Sequence, residues 1–182
     1  MRIISGKYNR RILRPPKNLP VRPTTDMAKE SLFNILKNRV CFEGKQVLEL
    51  FAGTGSISLE FVSRGCKSVL SIDNNQRCVA WIRDVSKSLG ITEITVLRSD
   101  VFRFLEQTHA TFDIIFADPP YDMEGIETIS LKIIEKGLLN PGGWLVVEHP
   151  QSINLSEQPG FTEQRRYGRV NFSFFQNPGE EH

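Results

Sequence analysis

No stretch of this 182-residue chain is apolar for long enough to cross a bilayer as a helix, so a membrane-spanning helix is excluded. Cysteine is scarce: Cys41, Cys66 and Cys78 make an odd count, and no pair has a metal-ligand spacing. That argues against a disulfide framework and leaves free buried thiols as the expectation. His109, His149 and His182 stand apart and give no zinc pattern, so no metal is expected, and the terminal His182 carries no weight. The opening MRIISGKYNRR lacks both an apolar core and a cleavage pattern, so no secretory signal is expected and the expected compartment is the cytoplasm. Internal repeats and low-complexity segments are also missing.

Apolar residues make up 40% and charged residues 24%, the balance of a globular chain with a real core and of one domain with at most a short appendage. The net charge of +2 hides an asymmetry. Residues 1–40 carry ten Lys/Arg against Asp26 and Glu30, whereas the rest carries thirteen basic and nineteen acidic residues. A basic arm on an acidic body points to a polyanion partner, although on charge alone a solvated tail is the simpler reading. The chain therefore divides into a basic extension over 1–40 and a main domain over 41–182.

Within the extension, Arg2–Ser5 and Arg10–Leu13 read as strand-like pieces of a small hairpin around Gly6-Lys7-Tyr8-Asn9. Pro15, Pro16, Pro20 and Pro23 favour an extended connection. Thr24 or Thr25 can cap a helix whose Ala28, Leu32, Ile35 and Leu36 form a docking face. From residue 46 strands and helices alternate. Strands are predicted over Gln46–Phe51, Ser68–Ile72, Ile94–Leu97, Phe112–Ala117 and Gly143–Glu148. Helices are predicted over Ile57–Ser63, Asn75–Leu89, Val101–Gln107 and Glu124–Lys136. Phe161–Tyr167 and Val170–Gln176 flank Gly168-Arg169 as a closing hairpin. This order implies an α/β, Rossmann-like fold: a mostly parallel sheet covered on both faces, with an antiparallel C-terminal hairpin.

The segment Glu49-Leu50-Phe51-Ala52-Gly53-Thr54-Gly55-Ser56 follows the first strand, where glycines let the backbone turn sharply and approach a ligand. Asp73 ends the second strand at the distance where an acid can bind ribose hydroxyls. The third glycine of a dinucleotide fingerprint is replaced by Ser58. Glu49 would repel a pyrophosphate but suits a cationic amino-acid tail, so S-adenosylmethionine, which has no phosphate, is the expected cofactor. Asp100 closes the third strand, where it could accept from an adenine amine with Val101 or Phe102 against the ring. Helix N-capping is the structural alternative for Asp73 and Asp100. The expected cofactor set is Glu49, Phe51, Ala52, Gly53, Thr54, Gly55, Asp73, Asn74, Asp100 and Val101.

Asp118-Pro119-Pro120-Tyr121 follows the apolar strand FDIIFA, and two prolines there make a rigid turn. An exocyclic base amine is a poor nucleophile because its lone pair is delocalised. It reacts more easily when acceptors hold its hydrogens, and an ionised Asp118 and the Pro119 carbonyl are such acceptors. A fixed carboxylate also stabilises the positive charge that the amine gains. Tyr121 offers a ring for base stacking. Asp118, Pro119, Pro120 and Tyr121 are the candidate catalytic residues.

The glycine loop and DPPY turn together resemble class I methyltransferases that act on amino groups. RIISGKYNRR…RPTTDMAKESLFNIL and the C-terminal RRYG make the chain similar, over nearly its whole length, to the bacterial 16S ribosomal RNA (guanine(966)-N(2))-methyltransferase family. The resemblance implies a seven-stranded sheet, S-adenosylmethionine as methyl donor, and 16S rRNA in the 30S subunit or its assembly intermediate as substrate. It implies RNA contacts from Arg2, Lys7, Arg10, Arg11 and Arg22, with Thr24 and Thr25, in a protein expected to be a monomer. The competing readings are a nicotinamide oxidoreductase, a DNA adenine methyltransferase, and an inactive RNA-binding assembly factor. The missing glycine, Glu49 and the DPPY turn argue against the first. The lack of a large base-recognition region argues against the second, and the intact motifs argue against the third.

Overall fold

The apolar runs between glycine loops become the parallel strands of one sheet. In the computed structural model, which describes residues 1–22 and 24–179, these are β1 (Gln46–Leu50), β2 (Ser68–Asp73), β3 (Ile94–Arg98), β4 (Phe112–Ala117) and β5 (Leu139–His149). β6 (Phe161–Tyr167) and β7 (Val170–Gln176) form the closing hairpin. The order is β3-β2-β1-β4-β5-β7-β6, with β7 antiparallel to both of its neighbours. Pro23, expected in the extended connection, and His182 lie outside the described residues. Among the described residues no helix is long and apolar enough to cross a membrane.

Among the described residues α1 (Asp26–Leu36) precedes the sheet, and α2 (Ser56–Ser63), α3 (Gln76–Ser88), α4 (Val101–Gln107) and α5 (Ile126–Glu135) connect its parallel strands. Side chains set where three of them begin. Thr25 Oγ1 accepts from the Ala28 N–H at 3.2 Å, Asn75 Oδ1 from Arg77 and Cys78, and Asp100 Oδ1 from Arg103 at 3.0 Å. Strand residues alternate between two apolar layers. Val47, Ile114, Phe116 and Val146 face the layer that holds α1 and α2, while Leu48, Ile115, Ala117 and Leu145 face the layer of α4 and α5. The parallel strands are thus covered on both faces.

Several expectations need correction. Helix α5 begins at Ile126 instead of Glu124, because Gly125 takes a left-handed φ of +82°. Strand β5 begins four residues early at Leu139, and its register against β4 slips between Phe112 and Ile114. Gly143 makes the slip possible: a β-carbon there would stand 2.8 Å from the Asn140 carbonyl oxygen. The N-terminal chain doubles back as expected, but the turn holds only one bridge, Arg2 to Ile12, in place of two strands. Cys41 is exposed, whereas Cys66 and Cys78 are buried.

The largest correction concerns charge. Helix α1 buries Ala28, Lys29, Leu32, Phe33 and Leu36, and Ile35 only partly. Lys29 is 1% exposed and pairs with Glu60 of α2, which is fully buried, at 3.5 Å. The Lys29 ammonium also donates to Ser56 Oγ at 2.9 Å and to the Arg2 carbonyl. Glu60 accepts in turn from the N–H groups of Ile4 and Ser5 and from Arg64 Nε. Arg39 pairs with Glu163 and lies over the Trp144 ring at 4.9 Å. Lys29 and Arg39 are therefore internal fasteners, not part of a free basic surface. Ile3 and Tyr8 of the extension join the same apolar layer as Phe61 and Val62 of α2.

Candidate functional site

The C-terminal ends of β1, β2, β4 and β5 open onto one cleft of about 1070 Å³. A parallel sheet presents its ligands there, because each strand ends in a loop on the same edge. Phe51 leaves β1 in a left-handed conformation, φ +60°, which turns the chain sharply at the cleft floor. Gly53 follows at φ +57°, and its N–H donates to Asp73 Oδ2 at 2.9 Å. The Asn75 N–H holds the other oxygen, Asp73 Oδ1, at 2.8 Å. Asp73 therefore ties the glycine loop to the end of β2, and the cap of α3 is Asn75, not Asp73. The Thr54 carbonyl accepts from Trp81 Nε1 at 3.1 Å, which fastens the loop to α3.

Of the expected cofactor residues, Glu49, Phe51, Ala52, Gly53, Thr54, Asp73, Asn74, Asp100 and Val101 line this cleft. Gly55 does not. It starts α2 at φ +74°, and a β-carbon there would approach Ile82 to 2.8 Å, so its role is the close packing of α2 on α3. Asp100 lines the cleft and also caps α4. Glu49 is 2% exposed, accepts from the Ser58 hydroxyl, and is pushed from its ordinary 4.5 up to about 8, chiefly by burial. Ser58, which stands where a dinucleotide site has its third glycine, is thus the group that holds Glu49.

Asp118, Pro119, Pro120 and Tyr121 line the other end of the cleft. The Pro120 carbonyl accepts from Met123 N–H at 3.0 Å, and among the described residues the Pro119 carbonyl accepts from none. The Asp118 carboxyl is raised well above the ordinary carboxylate range by burial first and by Glu148 beside it second. Glu148 is also raised by burial, and it accepts from the Tyr121 hydroxyl at 3.0 Å. Burial of these two neighbouring carboxyls favours their protonated forms, and they titrate as a pair.

Arg22, Thr24 and Thr25 line the cleft, with the Thr25 hydroxyl taken up as the α1 cap. Arg2, Lys7, Arg10 and Arg11 are exposed outside it. Arg2 pairs with Asp26 at 3.4 Å, and Lys7 stacks on Tyr8. Sequence reading missed Glu148, Arg169 and Val21, which also line the cleft, as does Phe102, the alternative to Val101 against the adenine ring. An acid closing the apolar run WLVV was a usable signal for Glu148. Arg169 sits in the turn between β6 and β7, and only the fold brings that turn to the cleft. Among the described residues no cluster of side chains could hold a metal ion.

A Rossmann-like sheet that admits β7 between β5 and β6, with acids at successive strand ends, is the fold of the methyltransferases it resembles. A family model described as "Conserved hypothetical protein 95" matches residues 1–176, and the chain belongs to that family. YlbH of Bacillus subtilis (strain 168) is 32% identical over 98% of this chain and 100% of its own. Ribosomal RNA small subunit methyltransferase D of Escherichia coli (strain K12) is 33% identical over 81% of this chain and 71% of its own. The solved structure of yhhF from Escherichia coli superposes with a TM-score of 0.86 at 26% identity, covering 99% of both chains. The chain is a methyltransferase of this family.

Proposed function

We propose that this protein transfers a methyl group from S-adenosylmethionine to the exocyclic N2 amine of a guanine in 16S rRNA, acting as a monomer on the 30S subunit or its assembly intermediate. An rRNA substrate goes with work in the cytoplasm. The observation that carries the reading is the acidic lining of the cleft. Six acids line it against two arginines, Arg22 and Arg169, with the DPPY turn at one end and the glycine loop at the other. Such a cleft suits a cofactor that is cationic and has no phosphate, and it repels a pyrophosphate, which disfavours a nicotinamide cofactor.

The residues fit that cofactor. Asp73 keeps lone pairs beyond those used by Gly53 and Asn75, so it can accept from ribose hydroxyls. Glu49, whose carboxyl burial pushes up to about 8, can ionise beside the cationic amino-acid end. Asp100 and Val101 stand at the next strand end for the adenine. When bound, the cofactor supplies a methyl group activated by a positively charged sulfur.

The chain's own residues do the rest. Tyr121, 40% exposed, provides a stacking face for a base turned out of its helix. The Pro119 carbonyl and Asp118 hold the amine hydrogens and direct its lone pair. The amine loses one proton as its nitrogen–carbon bond forms, and the ionised member of the Asp118–Glu148 pair takes it. The basic extension, residues 1–40, holds the RNA through Arg2, Lys7, Arg10, Arg11 and Arg22, with Thr24 and Thr25 close to the base. The test is methylation of purified 30S subunits from a strain lacking this protein, using labelled S-adenosylmethionine and nucleoside analysis. N2-methylguanosine is expected. Label in N6-methyladenosine would establish the adenine alternative instead.

A further inference from the structure

Glu148 is a buried acid with an unused acceptor. It follows Val147 on β5, which lies opposite Ala117 on β4, so Glu148, near the end of β5, lies beside Asp118, which follows β4. Glu148 is 7% exposed. Its Oε1 accepts from the Tyr121 hydroxyl, while its Oε2 is buried and meets no N–H or O–H donor among the described residues. Its neighbour on the adjacent strand is another carboxyl, Asp118, and burial of the two together disfavours ionising both. A buried acceptor with no donor of its own is uncommon in a folded protein and needs an explanation. Here both carboxyls line the cleft beside the exposed Tyr121 ring.

We infer that Glu148 is the specificity-determining residue of the base site, accepting from the N1–H of the target guanine while Asp118 accepts from the N2 amine. The inference rests on the guanine reading above. Guanine presents an exocyclic amine next to a ring N–H, so its edge carries adjacent donors. Adenine and cytosine present an amine next to a ring nitrogen with a lone pair. Two neighbouring carboxyls suit the first edge, whereas the second sets Glu148 lone pair against lone pair. The Tyr121 hydroxyl fixes Oε1 and leaves Oε2 for the base.

The decisive probe is 2-aminopurine, which keeps the amine at C2 but has a bare nitrogen at N1. The methylated guanine is first mapped with the wild-type protein. Reconstituted 30S particles then carry either guanine or 2-aminopurine there. The wild type should prefer guanine, in kcat/KM, by on the order of ten- to a hundredfold. Glu148→Gln keeps the shape but offers an N–H₂ that can donate to the bare N1. It should reduce that preference about tenfold or more, with unchanged calorimetric affinity for S-adenosylmethionine and an unchanged circular dichroism spectrum. Fluorescence of 2-aminopurine on binding gives a second readout, with tighter binding expected for Glu148→Gln than for wild type. A Glu148→Gln protein that methylates guanine with the wild-type preference overturns the inference alone. So does Tyr121→Phe if it loses the preference to the same degree, because Glu148 would then act only by holding Tyr121. A wild type that methylates an amine other than guanine N2 overturns the substrate reading and this inference with it.

Discussion

Gly6 lies so close to the Ser63 carbonyl that a β-carbon at position 6 would stand 1.8 Å from its oxygen. The contact is backbone on backbone, and Gly6 also holds φ at +85°. Around it the Lys7 N–H donates to the Ser63 carbonyl at 2.7 Å, and the Tyr8 N–H to Ser63 Oγ at 3.0 Å. The N-terminal turn is thereby seated on the end of α2, the helix that begins in the glycine loop. Gly6→Ala should cost about 1–3 kcal/mol through overpacking and left-handed strain. Hydrogen exchange should speed up most at Ile3 to Tyr8, with little change in cofactor affinity by calorimetry. Unaltered protection over that segment would show that the turn does not depend on the close approach.

Glu49 makes stability and cofactor binding respond oppositely to pH. Its folded value, about 8, lies above its ordinary 4.5. Between those values the folded chain holds a proton that the unfolded chain has lost, so folding stability falls as pH rises through that window. Glu49→Gln has no such proton. In thermal melts without ligand, the variant should gain on the wild type between about pH 5 and pH 8, by on the order of 4 kcal/mol. Affinity for S-adenosylmethionine should run the other way. It should strengthen with pH in the wild type as the carboxylate ionises, and stay weak and flat in Glu49→Gln. A difference in melting temperature that is constant across pH would mean that burial does not hold the proton on Glu49.

The basic extension separates by role. Lys29 and Arg39 are consumed inside the fold, whereas Arg10 and Arg11 are exposed on the turn, Arg10 with φ at +68°. Replacing Arg10 and Arg11 with Gln should weaken 30S binding and lower the slope of log affinity against log salt by about 1–2. Cofactor affinity should not change. An identical slope would mean that these arginines face solvent in the complex.

The strand ends were legible because a parallel sheet obeys a simple rule: apolar run, then loop, with ligand groups where the run stops. Glu49, Asp73, Asp100 and Asp118 all follow it. Gly55 did not, because a glycine that serves packing and one that serves a ligand look alike until Ile82 is seen against it. Charge counting failed at Lys29 for a similar reason. Lys29 lies three residues before Leu32 and four before Phe33, on the apolar face of α1, so helical spacing hinted at burial. Its partner Glu60 sits in α2, every residue of which is buried, and nothing local to either segment reveals that the two meet. Glu148 was hidden by the same distance from Asp118 along the chain, although the two strands are adjacent in the sheet.

Asp118 should act on methyl transfer more than on binding. The positive charge it meets exists only as the amine attacks, so its loss should lower turnover more than it raises KM. Asp118→Ala should slow the reaction by on the order of a hundredfold to a thousandfold, as expected for a lost preorganised electrostatic partner. Asp118→Asn keeps the shape and one acceptor oxygen, so a smaller loss is expected. The variants also separate the two carboxyls by pH. Burial and the neighbouring Glu148 hold the Asp118 proton well above the usual carboxylate range, so the wild-type rate should climb as pH rises and the pair ionises. In Asp118→Asn that shared proton is gone, and the climb should move to lower pH or vanish. Tyr121→Ala, by contrast, should raise KM by the worth of a stacking contact, about 1–3 kcal/mol. Single-turnover rates at saturating cofactor and 30S particles, taken across pH, measure all of these. An Asp118→Ala protein that transfers methyl at the wild-type rate would remove the carboxylate from the mechanism and leave the Pro119 carbonyl as the remaining acceptor for the amine.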